Sequence, residues 1–260
     1  MQVWRESIRG FPGAETEEWD GATAFRCSIP AAIANTLFVF RQPADAKELL
    51  EKARRFYSGP RPWRILTSEE SKQSVAAAVG ASMVAKPGDP GMLLSPIPKS
   101  LPPPPSPLKI VRVSDQSQLL AFCRVVAKAF GMPLPMVKRI FPRLPAPTDP
   151  FVLLVGYEGD EPAATSAATS ADGITGIYMV GVMPKSRRRG YGEAITWAAV
   201  QVGREKGCEV SYLQASEMGL PVYKKMGFKV TTEYPEWVSK VSTLDRVWAL
   251  FYFVGMTIKG

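Results

Sequence analysis

Between residues 109 and 228 the spacing of apolar positions switches several times, and each switch marks an element. KIVRV at 109–113 has the character of a strand, and behind Ser114 or Asp115 as a cap, Leu119, Phe122, Cys123 and Val126 recur at helical intervals. A Pro-rich, basic stretch follows, with a short helix expected around 135–140. FVLLVGYE (151–158) and PAATSAATS (162–170) read as paired strands across the turn EGDE, and GITGIYMVGVMP (173–184) as a third strand that proline ends. After the basic turn SRRRGYG, Ile195, Ala198, Ala199 and Val202 line one face of a helix that closes at Gly207. EVSYLQA (209–215) is a further strand, and SEMGLPVYKKMGF places a helix from the N-cap Ser216 through Met226 to a stop at Gly227. The order is β-α-α-β-β-β-α-β-α-β, an α/β (α+β) pattern, with a last strand expected at 247–254.

Ahead of this region lies SPIPKSLPPPPSPL (95–108). Prolines donate no amide hydrogen and fix φ, so the stretch predicts a stiff polyproline segment and the boundary between two domains, 1–94 and 109–260. The functional alternative is a ligand for an aromatic-lined groove.

The first domain carries an echo of the second. GPRPWRILTSEE (59–70) lies on GCEVSYLQASEM (207–218) with Gly, a hydrophobic pair and Ser-Glu at a constant offset. Each is preceded by an amphipathic helix and a strand; upstream these are ADAKELLEKARRFY (44–57), with Leu49, Leu50, Ala53 and Phe56 on one face, and TLFVFRQ (36–42). Duplication of one β-α-β-α unit explains this, with coincidence between two α/β segments as the alternative. Where the second copy has VMPKSRRRGYGEA the first has FRQPADAKELL, without glycine, and where the second has Tyr223 the first has Val75 or Ala76. The first copy would keep the fold and lack the site.

Composition narrows the chemistry. Of 260 residues, 32 are Lys or Arg against 24 Asp or Glu, so the net charge of +8 favours anionic partners. Histidine is absent, which excludes a serine-histidine triad and a histidine-ligated zinc. Cys27, Cys123 and Cys208 lack metal or redox spacing, so no metal site is expected and reduced core thiols are. Neither a leader pattern nor an apolar run of about 20 residues occurs, and a cytoplasmic location is expected.

The basic turn is the strongest candidate for a site. A strand entering a helix through glycines leaves the first helical amides pointing outward with the positive end of the dipole behind them. Gly190 and Gly192 let a phosphate approach the backbone, and Arg187, Arg188 and Arg189 add charge at its rim. A pyrophosphate fits; a plain basic surface turn is the other reading of these residues alone.

The run IYMVGVMPKSRRRGYGEAITWAAVQVGREKGCEVSYLQASEMGLPVYKKMGF (177–228) resembles the core of the GNAT superfamily of acyl-CoA-dependent N-acetyltransferases: RRRGYG matches that family's Q/R-x-x-G-x-G/A motif, and the Y-x-x-M-G-F ending is in register. A weaker resemblance extends over 109–229, and the N-terminal half is similar to the degenerate GNAT-like domain of longer members. The resemblance implies a mixed central sheet with splayed strands flanked by helices. It implies acetyl-CoA as donor, with Val180, Val182 and Met183 offering main-chain groups to the pantetheine arm and the amides of Arg188, Arg189, Gly190, Tyr191 and Gly192, helped by Arg187, holding the pyrophosphate. Arg188 stands where the family commonly has glycine. Leu213, Gln214 and Ser216 would line the other side of the wedge, although capping alone also accounts for Ser216. Tyr223 would protonate the departing thiolate, or else serve only as packing, and the Val182 amide would donate to the developing oxyanion.

For the base that deprotonates the amine, Glu158, Asp160, Glu161 and Tyr178 are the candidates in reach of the sequence. Phe130, Met132, Met136 and Phe141 suggest an apolar acceptor lining, or ordinary core. The function expected is direct acetyl transfer to the primary amine of a small molecule. A non-catalytic acyl-CoA binder and a transferase for protein amines are the alternatives. Neither nucleic acid nor membrane is expected as a partner, and the oligomeric state stays open, a homodimer included.

Overall fold

The computed structural model describes residues 13–146 and 151–240, which fall into two compact units, 92–229 and 13–91 together with 230–240. The strand expected at 247–254 lies outside the described residues.

In the first unit, β1 (Glu15–Trp19), β2 (Ala22–Arg26), β3 (Thr36–Val39), β4 (Arg64–Thr67) and β5 (Met83–Lys86) are joined by a strand from far along the chain, β13 (Glu236–Ser239), in the order β1-β2-β3-β4-β13-β5. Helices α1 (Ala46–Phe56) and α2 (Glu69–Val79) complete it. Leu50, Ala53 and Phe56 of α1 are buried, the face that the 3.6-residue period marks out. The Asp45 carboxylate caps this helix, accepting from the amides of Lys47 (2.7 Å) and Glu48 (3.1 Å). Trp237 of β13 is buried in the same core as Leu37, Ile65 and Val75. That burial, with ladder bonds to β4 and β5 on either side, accounts for the strand's place.

The second unit is built on a sheet ordered β12-β6-β11-β10-β9-β8-β7. The strands are β6 (Gly91–Leu94), β7 (Leu108–Arg112), β8 (Phe151–Glu158), β9 (Glu161–Ala171), β10 (Ile174–Val182), β11 (Val210–Gln214) and β12 (Lys229–Thr232). The helices are α3 (Gln116–Ala129), α4 (Leu134–Ile140), α5 (Tyr191–Glu205) and α6 (Leu220–Lys225). The order foreseen from 109 to 229 is the order found, and the sheet is mixed: β7 to β10 are antiparallel neighbours and β10–β11 is parallel.

Helix α5 is the pillar of this unit, with Tyr191, Ala194, Ile195, Trp197, Ala199, Val200 and Val202 all buried. It lies so near the sheet that a Cβ on Gly203 would stand 1.7 Å from Thr175 Oγ1, so only glycine fits there. The Ser166 hydroxyl also donates to the Ile195 carbonyl at 2.9 Å.

Two sequence expectations change. Strand β6, ahead of the Pro-rich stretch, belongs to the second sheet, with Met92 and Leu94 in its core, whereas β13 at 236–239 belongs to the first. The divisions 1–94 and 109–260 therefore each cut a sheet. Nor is 95–108 a free linker: the Ile97 amide donates to the Glu209 carbonyl (2.9 Å), Ile97 and Leu101 pack on the core, and the Lys99 carbonyl accepts from Arg204. Among the described residues no helix is long and apolar enough to cross a membrane.

Candidate active site

Strand β10 pairs with β11 only at Ile174–Val210, Thr175–Ser211 and Gly176–Tyr212, so from Ile177 onward the two strands part. On the other side the register with β9 slips between Tyr178 and Gly181. Met179 lies in the slip with φ +51°, a left-handed conformation for a residue with a side chain, and the buried Thr165 hydroxyl donates to its carbonyl at 3.1 Å. Beyond the bulge the Met183 amide donates to the Ala163 carbonyl at 2.8 Å. Val182, opposite Ala164, is then the non-hydrogen-bonded member of the ladder, and its N–H and C=O point away from β9 into the opening. Val182 thus keeps main-chain groups free, whereas the Met183 amide is taken up by the sheet. Val180 and Val182 pack their side chains on the core, leaving main chain for a ligand.

The chain then makes a single 3-10 turn, Pro184–Ser186, and enters α5 through Arg188 (φ +60°) and Gly190 (φ +76°). Arginine at a left-handed position costs about 1 kcal/mol where glycine would cost almost nothing. The first helical bond is Ala194 N to Gly190 O, and Gly190 offers no side-chain cap. Consequently the amides of Arg188, Arg189, Gly190, Tyr191, Gly192 and Glu193 have no hydrogen-bond acceptor among the described residues. They form a run of free donors at the positive end of α5.

The arginines divide their work. Arg189 is paired with Glu158 at 2.6 Å on the surface and lies over the buried Tyr191 ring at 5.2 Å, so it already has partners within the chain. Arg187 and Arg188 have no carboxylate partner among the described residues. The expected roles of Arg187 and Arg188 are left open to a ligand, and Arg189 becomes a brace for the turn. The Tyr191 ring is core, so only its amide is open to a ligand.

Across the opening, Leu213 is a fully buried core side chain and Gln214 is exposed. Ser216 heads a turn, its hydroxyl accepting from the Gly219 amide at 3.3 Å. The helix α6 itself starts three residues later than the sequence suggests, at Leu220, with Pro221 in its first turn, where a missing N–H is harmless. Ser216 therefore closes the turn ahead of the helix, whose own N-cap is Gly219. Tyr223 is 8% exposed, with its ring so close to Gly219 that a Cβ there would stand 2.8 Å from Cε2. Burial pushes its phenol up to about 12, against a smaller opposing effect of the Thr196 hydroxyl.

The candidate bases are not poised for that task. Glu158 is held by Arg189, and Glu161 by Lys185 at 3.2 Å. Asp160 is exposed at the hairpin tip, and Tyr178 packs edge-on to Phe151. Of the acceptor-side aromatics, Phe141 is core, packed on Phe122 at 5.0 Å. Phe130 is half-buried and lies over Gly181, where a Cβ would be 3.2 Å from its ring; Met132 and Met136 are half-buried as well. Thr165 and Thr196 escaped sequence reasoning; the only trace of them was small polar residues at strand and helix positions.

The first unit repeats β10-α5-β11-α6 as β3-α1-β4-α2, again with a parallel strand pair. Here the pair is closed: Thr36–Arg64 through Val39–Thr67 are in register, and Ser68 N continues the ladder to Val39 O. At the start of α1 the Asp45 carboxylate already takes the amides of Lys47 and Glu48. This copy thus lacks the opening, and a carboxylate stands at its helix start where the second unit has none.

Residues 128–228 match the family model for the Acetyltransferase (GNAT) family. Among solved structures, a GCN5-related N-acetyltransferase from Kribbella flavida shares 17% identity, with 94% of this chain and 96% of that one covered at a TM-score of 0.73. One from Sphaerobacter thermophilus shares 14% over 92% and 84%, at 0.61. A putative GNAT-family acetyltransferase from Novosphingobium aromaticivorans shares 15% over 93% and 97%, at 0.59. Comparison with curated proteins returns no match. The parted strands, the bulge and the open helix start all fall within the matched residues, and residues 128–228 of this chain are a domain of the acetyltransferase (GNAT) family, a family of acyltransferases.

Proposed function

We propose that the protein transfers an acetyl group from acetyl-CoA directly to the primary amine of a small molecule. The observation that carries this reading is the coincidence, in one unit, of parted parallel strands with six unpaired amides at the adjoining helix start. A diphosphate needs several convergent donors and no carboxylate, and the amides of Arg188 to Glu193 with the unpaired Arg187 and Arg188 meet that need. A pantetheine arm needs a main-chain edge to bond to, which Val182 presents.

When bound, acetyl-CoA supplies an activated thioester; the rest falls to the chain. The Val182 N–H, left free by the β9 ladder, would donate to the carbonyl oxygen on which negative charge builds. Tyr223, neutral up to about pH 12, keeps a proton on its Oη for the sulfur that leaves. With Glu158 and Glu161 held in ion pairs, loss of the acceptor's ammonium proton falls to solvent. The half-buried Phe130, Met132 and Met136 give the acceptor an apolar wall on the α3–α4 side.

Calorimetric titration with CoA and turnover with an amine panel test this reading. Tyr223→Phe is expected to keep CoA affinity and lower kcat by about 100-fold or more. CoA binding without turnover on any amine would instead favour a non-catalytic acyl-CoA binder.

A further inference from the structure

The polyproline stretch has a course that its composition did not suggest. The Lys99 carbonyl accepts from Arg204 at the last turn of α5, Leu101 packs on the core, and the Pro105 ring comes within 3.7 Å of where a Cβ on Gly190 would be, at the first turn. Gly190 to Arg204 spans about 21 Å of helix at 1.5 Å per residue. Lys99 to Pro105 spans about 19 Å at the polyproline rise of 3.1 Å. The segment is therefore a strap laid along α5 from its end to its start, bonded to the helix at Arg204 and ending beside Gly190, where the Leu108 amide turns the chain by donating to the Pro105 carbonyl at 2.9 Å.

Pro102 to Pro105 are all exposed. Their rings form a rigid apolar edge without amide hydrogens, ending beside the unpaired donors of Arg188 to Glu193. An apolar edge next to a diphosphate cradle suits a flat heterocycle attached to that diphosphate. We propose that the Pro105 end of the strap is a ledge for the nucleotide base of the acyl donor, so that Pro105 sets the preference for a nucleotide-bearing donor over a bare phosphopantetheine. The inference rests on acetyl-CoA being the donor.

A polyproline helix repeats every three residues, so Pro105 and Pro103 face different ways and Pro103→Ala is the matched control. Dissociation constants for CoA and for 4′-phosphopantetheine are measured on the full-length protein and on both variants. Pro105→Ala is expected to weaken CoA roughly three- to tenfold while leaving 4′-phosphopantetheine unchanged, and Pro103→Ala to change neither. Unchanged CoA affinity in Pro105→Ala overturns the ledge. So does equal weakening of both ligands, since the strap would then only prop the helix start. Failure of the unaltered protein to bind CoA at all would instead count against the donor assignment itself.

Discussion

Tyr223 ties the candidate chemistry to a measurable property of the folded chain. Its phenol titrates near 12 in the folded protein against about 10 in an unfolded chain, because burial disfavours the phenolate. Between those values the folded state keeps a proton that the unfolded state has lost. Stability should therefore fall as pH rises from about 10 to 12, by about 1.4 kcal/mol per unit for this group. Tyr57 in the first unit is displaced in the same direction by burial and adds to the fall. Denaturant titrations at stepped pH check this: Tyr223→Phe should flatten the slope by its share, and an unchanged slope would mean that Tyr223 is not buried as described. Tyr223 was legible in the sequence, since Y-x-x-M-G-F fixes its place before a helix stop. The division of labour among the arginines was not, because three adjacent cations look alike until Glu158, 31 positions earlier, selects Arg189.

Among the elements, the contrast between α1 and α5 is the most instructive, since the two helices hold equivalent places in their units. Asp45→Ala would free the Lys47 and Glu48 amides, at about 1 kcal/mol of stability for the lost cap. It should not create a second donor site, because β3 and β4 stay zipped through Ser68. Calorimetry should thus return an unchanged CoA stoichiometry alongside the lowered denaturation midpoint, and a second binding event would show that free amides alone suffice. The absence of glycine ahead of α1 already signalled a lost cradle. The closed strand pair could not be foreseen, since whether neighbours zip or part depends on a bulge, and the bulge at Met179 is fixed by a hydroxyl on a different strand, Thr165. Element order survived translation from sequence because it follows from local periodicity; the bulge did not because it is a nonlocal bond.

At the scale of the whole molecule, the sequence is least informative where it seems plainest. Proline density marks 95–108 as a break, yet β6 before it and β13 near residue 237 complete each other's half of the chain: β6 lies between β11 and β12, and β13 between β4 and β5. A fragment starting at 109 loses one strand from inside a sheet and keeps another with no sheet to join. Fragment 88–234, which retains β6 and ends before β13, should melt cooperatively, whereas fragment 109–260 should not; circular dichroism on both decides it. The same arrangement governs the order of events on the ribosome. The slot between β4 and β5 stays vacant until synthesis has passed residue 239, about 150 residues after β5 emerges, a wait of roughly 8–30 s at ordinary elongation rates. Through that interval the nascent chain carries two bare strand edges, one of them bearing Val84, and the portion made first is the portion that finishes folding last.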